Sequence, residues 1–166
     1  MQFNLAKGKR KRPAFAKDYG IQENEEGLIS WDWVDEQLLS ARNYWVTSVR
    51  SDQKPHAVPV WGIYLDQIVY FGSNRSAQKT KNLLKNPAIS LHLESGDDVV
   101  IIEGTAKVVT DPEDLKQIAT VYHRKYPGYD PELTFDENTV IFAVLPHKVF
   151  AWTEQNFIHD ATSWVF

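Results

Sequence analysis

A segment near the middle of the chain combines residue types that can bind a small anion. The sequence SNRSAQK, residues 73–79, carries Ser73, Ser76 and Lys79 together with a further amide and a second cation. Hydroxyl and amide side chains of this kind cap helices, and a helix start presents free N–H groups and the positive end of the helix dipole. Such a helix start beside two cations predicts a phosphate site, although ordinary capping has the same signature. The Gly-rich loop of a P-loop is absent.

A second unusual segment, HAVPVW at residues 56–61, precedes the first by one short predicted strand. Pro59 cannot donate a ladder hydrogen bond, and Gly62 just after the segment contributes no side-chain packing. An edge strand or a β-bulge would accommodate both residues. The alternative is a flat ligand lying against this backbone, which removes the need for a second ladder. A flat ring on this strand and a phosphate on the neighbouring helix start together describe flavin mononucleotide (FMN).

Short strands and tight turns must position these two segments. Alternating and β-branched patterns predict strands over 44–49, 56–65, 68–73, 88–94, 99–109, 140–145 and 149–152, the last two separated by Pro146. Capping signals predict helices from Ser30 to about Asn43, from about Arg75 to Lys85, and from Asp111 onwards. Turns this short cannot make parallel crossovers. The fold class is therefore predicted as mainly β, a small antiparallel barrel or sandwich of six or seven strands with peripheral helices.

Composition restricts the class of protein further. The chain has 166 residues, 43% hydrophobic and 24% charged, which is typical of one globular domain. No apolar run approaches the roughly 18 to 20 residues of a membrane span, and the N-terminus lacks a secretory signal, so a cytoplasmic location without membrane contact is expected. The absence of cysteine excludes disulfides, thiol catalysis and cysteine-ligated metals.

The charge distribution separates an N-terminal arm from an acidic body. Five of the six residues from Lys7 to Arg12 are basic, and without them the chain holds 13 basic and 22 acidic side chains. An acidic body argues against a broad nucleic-acid surface, so a nucleic-acid partner is not expected. We predict a polar arm over residues 1–28, whose basic tail is solvated and mobile, followed by a single split-barrel domain over residues 29–166.

Motifs for other chemistries are missing. The five histidines form no metal-ligand spacing, and no nucleophile elbow, dinucleotide fingerprint or carboxylate dyad is present. No metal site is therefore predicted, and no side chain is assigned as a general acid or base. This pattern suits a protein whose bound cofactor carries the chemistry.

The chain resembles the flavin-binding split-barrel family, typified by pyridoxamine 5'-phosphate oxidase. The resemblance covers about residues 30–152 and rests on HAVPVW (56–61), VYFGS (69–73), QKTKNLLKNP (78–87), VIIEGTAKVVTDP (100–112) and VLPHKVFAW (144–152). It implies that His56, Val58, Pro59, Val60 and Trp61 lie along the flavin ring, and that Ser73, Ser76 and Lys79 bind the phosphate. It also implies a homodimer with the cofactors at its interface and a small-molecule substrate.

Two departures keep alternatives open. The oxidases typically carry Arg and Lys where this chain has His56 and Trp61, so vitamin B6 oxidation is not expected. The N-terminal arm and the closing ATSWVF look closest to the branch that often uses a deazaflavin, but Ser163 and Val165 stand where that branch usually has arginines. An FMN-binding oxidoreductase that transfers hydride to or from a small organic substrate is the main hypothesis. The alternatives are a deazaflavin (coenzyme F-420)-dependent reductase of the same fold and a non-catalytic flavin- or haem-binding module.

Overall fold

Eight strands and four α-helices make up the described part of the chain, residues 8–15, 17–128 and 136–166 of a computed structural model. The strands are β1 (Lys9–Lys11), β2 (Asn43–Val49), β3 (Pro55–Leu65), β4 (Ile68–Asn74), β5 (Ala88–His92), β6 (Asp98–Val108), β7 (Thr139–Thr153) and β8 (Thr162–Val165). The helices are α1 (Trp31–Ser40), α2 (Gln78–Lys85), α3 (Pro112–Lys125) and α4 (Phe157–Asp160).

Six of these strands close into an antiparallel barrel. The order is β7-β4-β3-β2-β5-β6, and a pairing of β6 with β7 closes the ring. Both Asp66 and Gln67 have positive φ, of 50° and 65°, which gives β3 and β4 a two-residue hairpin turn whose twist matches the strands. The predicted mainly β fold of split-barrel type is therefore confirmed, with β8 and β1 added outside the ring.

The barrel is split along one side of β3. Residues 55–61 of β3 pair with β2, whereas only residues 62–65 pair with β4. Beyond that point β4 pairs with β7 alone, over residues 72–74. One backbone edge of residues 55–61 is thus left without a neighbouring strand.

Two apolar clusters hold the architecture together. The barrel interior contains Val46, Leu91, Val100 and Phe142, and α1 closes it by burying Val34 and Leu38. A second cluster forms where α3 packs Ile118 and Tyr122 against the outer side of β3, β4 and β7. Each cluster is formed by side chains from one face of its strands. Successive residues of a strand point to opposite faces, so the order of residues in the sequence determines which side chains stay accessible.

The two predicted late strands are one continuous strand. β7 runs through Pro146, which pairs opposite Gly104, and next to this pair β7 carries one extra residue, His147, without a partner in the register. A Cβ on Gly104 would lie 2.2 Å from the Leu145 carbonyl oxygen. The proline is tolerated because the irregularity replaces regular ladder bonds at this point. The sequence patterns did not predict the closing strand β8.

The basic N-terminal residues belong to the sheet. Lys9, Arg10 and Lys11 pair with Val165, Trp164 and Ser163. The Arg12 guanidinium donates to the carbonyls of Asn24, at 2.7 Å, and His159, at 2.7 Å. The expectation of a mobile arm is therefore wrong for residues 9–12, because backbone pairing and a planar donor fork fix them. The boundary at residue 28 stays a prediction, and the arm's first seven residues lie outside the described residues.

No helix among the described residues is long and apolar enough to cross a membrane.

Candidate functional site

The predicted ring-binding strand presents its residues on two faces. Pro59 and Trp61 point outward and are exposed, whereas Val60 is buried in the barrel interior. Val58 packs against the same interior cluster, and His56 is half-buried on that side. The five predicted residues therefore share a backbone edge rather than a surface of side chains. A flat group on the outer face would contact Pro59 and Trp61.

The predicted phosphate-binding residues surround the start of α2. This helix begins at Gln78, three residues later than predicted, and its N-cap Ala77 provides no side-chain hydrogen bond. Ser76 is exposed, and its N–H and hydroxyl both bond to the Asn74 side chain, at 2.9 and 2.7 Å. The capping predicted for this segment is thus a local turn, and the first N–H groups of α2 receive no side-chain cap.

Lys79 is half-buried beside this helix start. Burial lowers the pKa of its ammonium group, and no ion pair of Lys79 occurs among the described residues. Ser73 lies deeper, 5% exposed, with its hydroxyl 2.7 Å from the Thr80 hydroxyl. A partly desolvated ammonium group and uncapped N–H groups form a donor set that fits a phosphate, and the exposed Ser76 hydroxyl, bonded to Asn74, lies just before them in the chain.

Buried polar contacts fasten α2 to the strands on either side of β3. Asn82 donates to the Ser48 hydroxyl of β2 at 2.9 Å, and Ser48 is paired in register with His56. On the other side, Thr80 contacts Ser73 of β4. The helix start and the open edge of β3 therefore lie at the same end of the barrel.

Gly62 has a different role from the one its sequence context indicated. A Cβ at this position would lie 2.6 Å from the Tyr70 carbonyl oxygen of β4. Its N–H donates to the Tyr126 hydroxyl at 3.0 Å, and its carbonyl accepts from the Lys125 ammonium at 2.9 Å. Close packing of β4 and α3, rather than room for a ligand, explains this glycine.

A group of cations and aromatic rings at the end of the open edge was missed at the sequence level. Trp61 stacks on Tyr126 with ring centroids 4.7 Å apart and an interplanar angle of 4°. Arg42 lies 6.0 Å from the Trp61 ring, and Lys125 lies beside Tyr126. Basic residues in the last turn of a helix are ordinary partners of the helix dipole, so Lys125 carried no distinguishing signal.

Two tryptophans outside this group, Trp152 and Trp164, pack against other aromatic side chains. Trp164 is 3% exposed and meets Trp31 edge to face. Trp152 packs against Phe15 and Phe157. In the described residues, no three His, Asp or Glu side chains gather as a metal-ligand set.

Solved structures show the same fold at low sequence identity. The conserved hypothetical protein Rv2991 from Mycobacterium tuberculosis superposes with a TM-score of 0.70 at 22% identity, covering 80% of this chain and 89% of that one. An F420 reductase gives 0.58 at 20% identity, covering 69% and 94%. HutZ, a haem storage protein from Vibrio cholerae, gives 0.63 at 14% identity, covering 71% and 91%.

The family assignment comes from the sequence. A search of curated proteins finds no match. A family model described as pyridoxamine 5'-phosphate oxidase matches residues 31–153, which span the barrel from α1 to the end of β7. The chain therefore belongs to the pyridoxamine 5'-phosphate oxidase family.

Proposed function

We propose that the protein is an FMN-dependent oxidoreductase that transfers hydride to or from a small organic substrate. The observation that carries this proposal is the juxtaposition of the open β3 edge with the uncapped, cationic start of α2. A planar heterocycle fits against an unpaired strand edge, and its phosphate fits the N–H groups and the ammonium of Lys79. Membership of the family supports the choice of a flavin.

The protein's contribution would be binding and orientation. When bound, the flavin supplies the hydride chemistry. The α2 start and Lys79 would hold the phosphate, while the backbone of residues 56–61 would set the position of the ring. We assign no described side chain to proton transfer. Whether the reaction needs a proton donor or acceptor depends on the substrate.

A homodimer would complete the site. The outer face of β2 and β3 carries half-buried and exposed side chains that are mostly apolar, including Trp45, Thr47, Ala57 and Pro59. Register pairs Trp45 with Pro59 and Thr47 with Ala57, so these side chains form a continuous surface. A second copy of the chain would cover it beside the open edge of β3.

A cofactor titration tests the proposal. The purified protein should bind FMN, with quenching of flavin fluorescence, and Lys79→Ala should weaken binding by about 1 to 3 kcal/mol. Lys81→Ala removes the same charge from the exposed side of α2 and should leave the affinity unchanged. Failure of the wild type to bind FMN would refute the proposal. Bound flavin that no nicotinamide reductant can reduce would instead identify a non-catalytic binding module.

A deazaflavin-dependent reductase is the second candidate, and the position of β1 favours it. Lys9 and Lys11 are exposed and lie in register beside Val165 and Ser163. Lys9 and Lys11 therefore share a sheet face with Val165 and Ser163, the two positions that lack arginines, and could meet a polyanionic cofactor tail there. One solved structure of the same fold is an F420 reductase. Parallel titrations with FMN and the deazaflavin, repeated on Lys9→Gln/Lys11→Gln, separate the two candidates, because only deazaflavin binding should weaken in the double variant.

A further inference from the structure

Lys125, at the end of α3, is a half-buried amine held by neutral groups. Its Nζ donates to the Gly62 carbonyl at 2.9 Å and to the Tyr44 hydroxyl at 3.1 Å. Tyr44 is fully buried, and its own hydroxyl donates to the Leu38 carbonyl at 2.7 Å, so it accepts from Lys125. Among the described residues no carboxylate forms an ion pair with Lys125.

These contacts favour a neutral amine over an ammonium group. An ammonium group has three N–H donors, whereas Gly62 and Tyr44 accept two of them, and no further hydrogen bond of Lys125 occurs within the described ranges. A charge that is partly withdrawn from water and lacks a counter-ion costs free energy, which loss of the proton avoids. The neutral amine keeps both hydrogen bonds, and its lone pair takes the remaining tetrahedral position.

A pocket of about 250 Å³ opens at this amine. Its described lining is Arg42, Trp61, Lys125, Tyr126, Pro127 and Gly128. Trp61 stacks on Tyr126 and is still 38% exposed, so it gives the pocket a flat apolar wall. An uncharged molecule that enters the pocket therefore meets the amine without displacing an ion-pair partner.

The charged and titratable neighbours of Lys125 act in the same direction. Arg42 stays charged and disfavours a second positive charge in the pocket. Burial raises the pKa of Tyr44 and of Tyr126, so neither becomes an anion that would keep the proton on Lys125. Burial also lowers the pKa of Lys125 from 10.5 to about 8. At pH of about 7.5, about a quarter of such a group is free amine, compared with about one part in a thousand for an ordinary lysine.

We infer that Lys125 is a modification site, where the amine is acylated by an acyl thioester that enters the pocket beside Trp61. The amine nitrogen attacks the thioester carbonyl, and an N–C bond forms as the C–S bond breaks. The departing thiolate takes the amine proton, so the products are an amide and a thiol, and no oxidant or reductant is required. Acylation removes the charge of Lys125 and leaves Arg42 as the one cation in the described lining. The inference does not depend on a bound flavin.

Acetylation by S-acetyl-N-acetylcysteamine, an uncharged thioester, tests the inference on the full chain. Mass spectrometry follows the modified fraction of each lysine over time, after digestion with a protease that does not cut at lysine. At pH of about 7.5, Lys125 should react at least fivefold faster than the exposed residues Lys81 and Lys116. The expected factor is smaller than the ratio of free amine because a less basic group is a weaker nucleophile.

The pH profile gives a second measurement. The rate at Lys125 should level off above about pH 9, whereas the rates at Lys81 and Lys116 should continue to rise to about pH 10. Circular dichroism confirms the fold at each pH. In urea that unfolds the protein, the three lysines should react at similar rates, because the selectivity comes from the folded environment.

Lys125→Arg keeps a cation and removes the amine, so it should abolish the fast phase of total acetylation and leave the slow phase unchanged. Three results would each overturn the inference: a fast phase that persists in this variant, a Lys125 rate no higher than those of the exposed lysines, or a pH profile parallel to theirs.

Discussion

Replacing Lys125 with methionine is expected to change how stability depends on pH. Burial lowers the pKa of Lys125 from 10.5 to about 8. Between these values the unfolded chain binds a proton that the native protein lacks, so the free energy of unfolding rises with pH. Methionine keeps most of the side-chain volume and removes the ionisation, so it should abolish this part of the rise.

The size of the effect follows from the interval between the two pKa values. At about 1.4 kcal/mol per pH unit, the full interval corresponds to about 3 kcal/mol. Because the side chain is partly exposed, solvent screening reduces the expected contribution to about 1 to 2 kcal/mol. Buried tyrosines act in the opposite direction but at higher pH, since burial raises the pKa of Tyr70 to about 12 and its unfolded form ionises near 10.

Urea unfolding followed by tryptophan fluorescence measures this difference at a series of pH values between about 7 and 10. Protein concentration is held constant, since a dimer's stability depends on it. Lys116→Met removes an exposed cation from the same helix and serves as the control, which should retain the wild-type rise. Parallel pH curves for the wild type and Lys125→Met would refute the reasoning.

Three further substitutions test other contacts by urea unfolding. Arg12→Leu should lower the free energy of unfolding by about 2 to 4 kcal/mol because it leaves several carbonyls without a donor. Arg12→Lys should not restore the stability, since lysine lacks the planar guanidinium group. Full recovery with lysine would contradict this role of the guanidinium. Gly62→Ala should cost more than about 2 kcal/mol, whereas Gly96→Ala, with no atom within 4 Å of its added Cβ, should be nearly neutral; similar costs would argue against the close approach of β4. Asn82→Ala should lower the free energy of unfolding by about 1 to 3 kcal/mol through the loss of its hydrogen bonds to Ser48 and Gln78. An unchanged urea midpoint would show that these bonds do not hold α2 in place.

Local patterns were sufficient for most of the barrel. β-branched and aromatic runs separated by short turns located β2 to β6, and the caps Ser30 and Asp111 marked the starts of α1 and α3. These signals are local because side-chain alternation, turn conformations and capping act over only a few residues. The late strand was divided wrongly at Pro146, since the irregularity that tolerates proline depends on Gly104 in the partner strand.

The candidate site was predictable only in part. The sequence indicated that the segments 56–61 and 73–79 were unusual, but not that one edge of β3 is left unpaired, which depends on where β4 leaves it for β7. The sequence offered two explanations for Gly62, an irregular strand or a nearby ligand, whereas the structure shows that the Tyr70 carbonyl of β4 requires it. Propensity and periodicity carry no information about approaches between distant segments.

The sequence by itself determined the class of fold, the order of its core elements and the two segments from which a cofactor site would be built. Only the tertiary structure decided that Arg42 and Lys125, 83 positions apart in the chain, line one pocket beside Trp61, and that Arg12 anchors the N-terminal segment. The physical reason is that secondary structure follows from short-range sterics and hydrogen bonding. Charge compensation and pocket shape, by contrast, depend on contacts between residues that are distant in sequence. These contacts form only in the folded barrel.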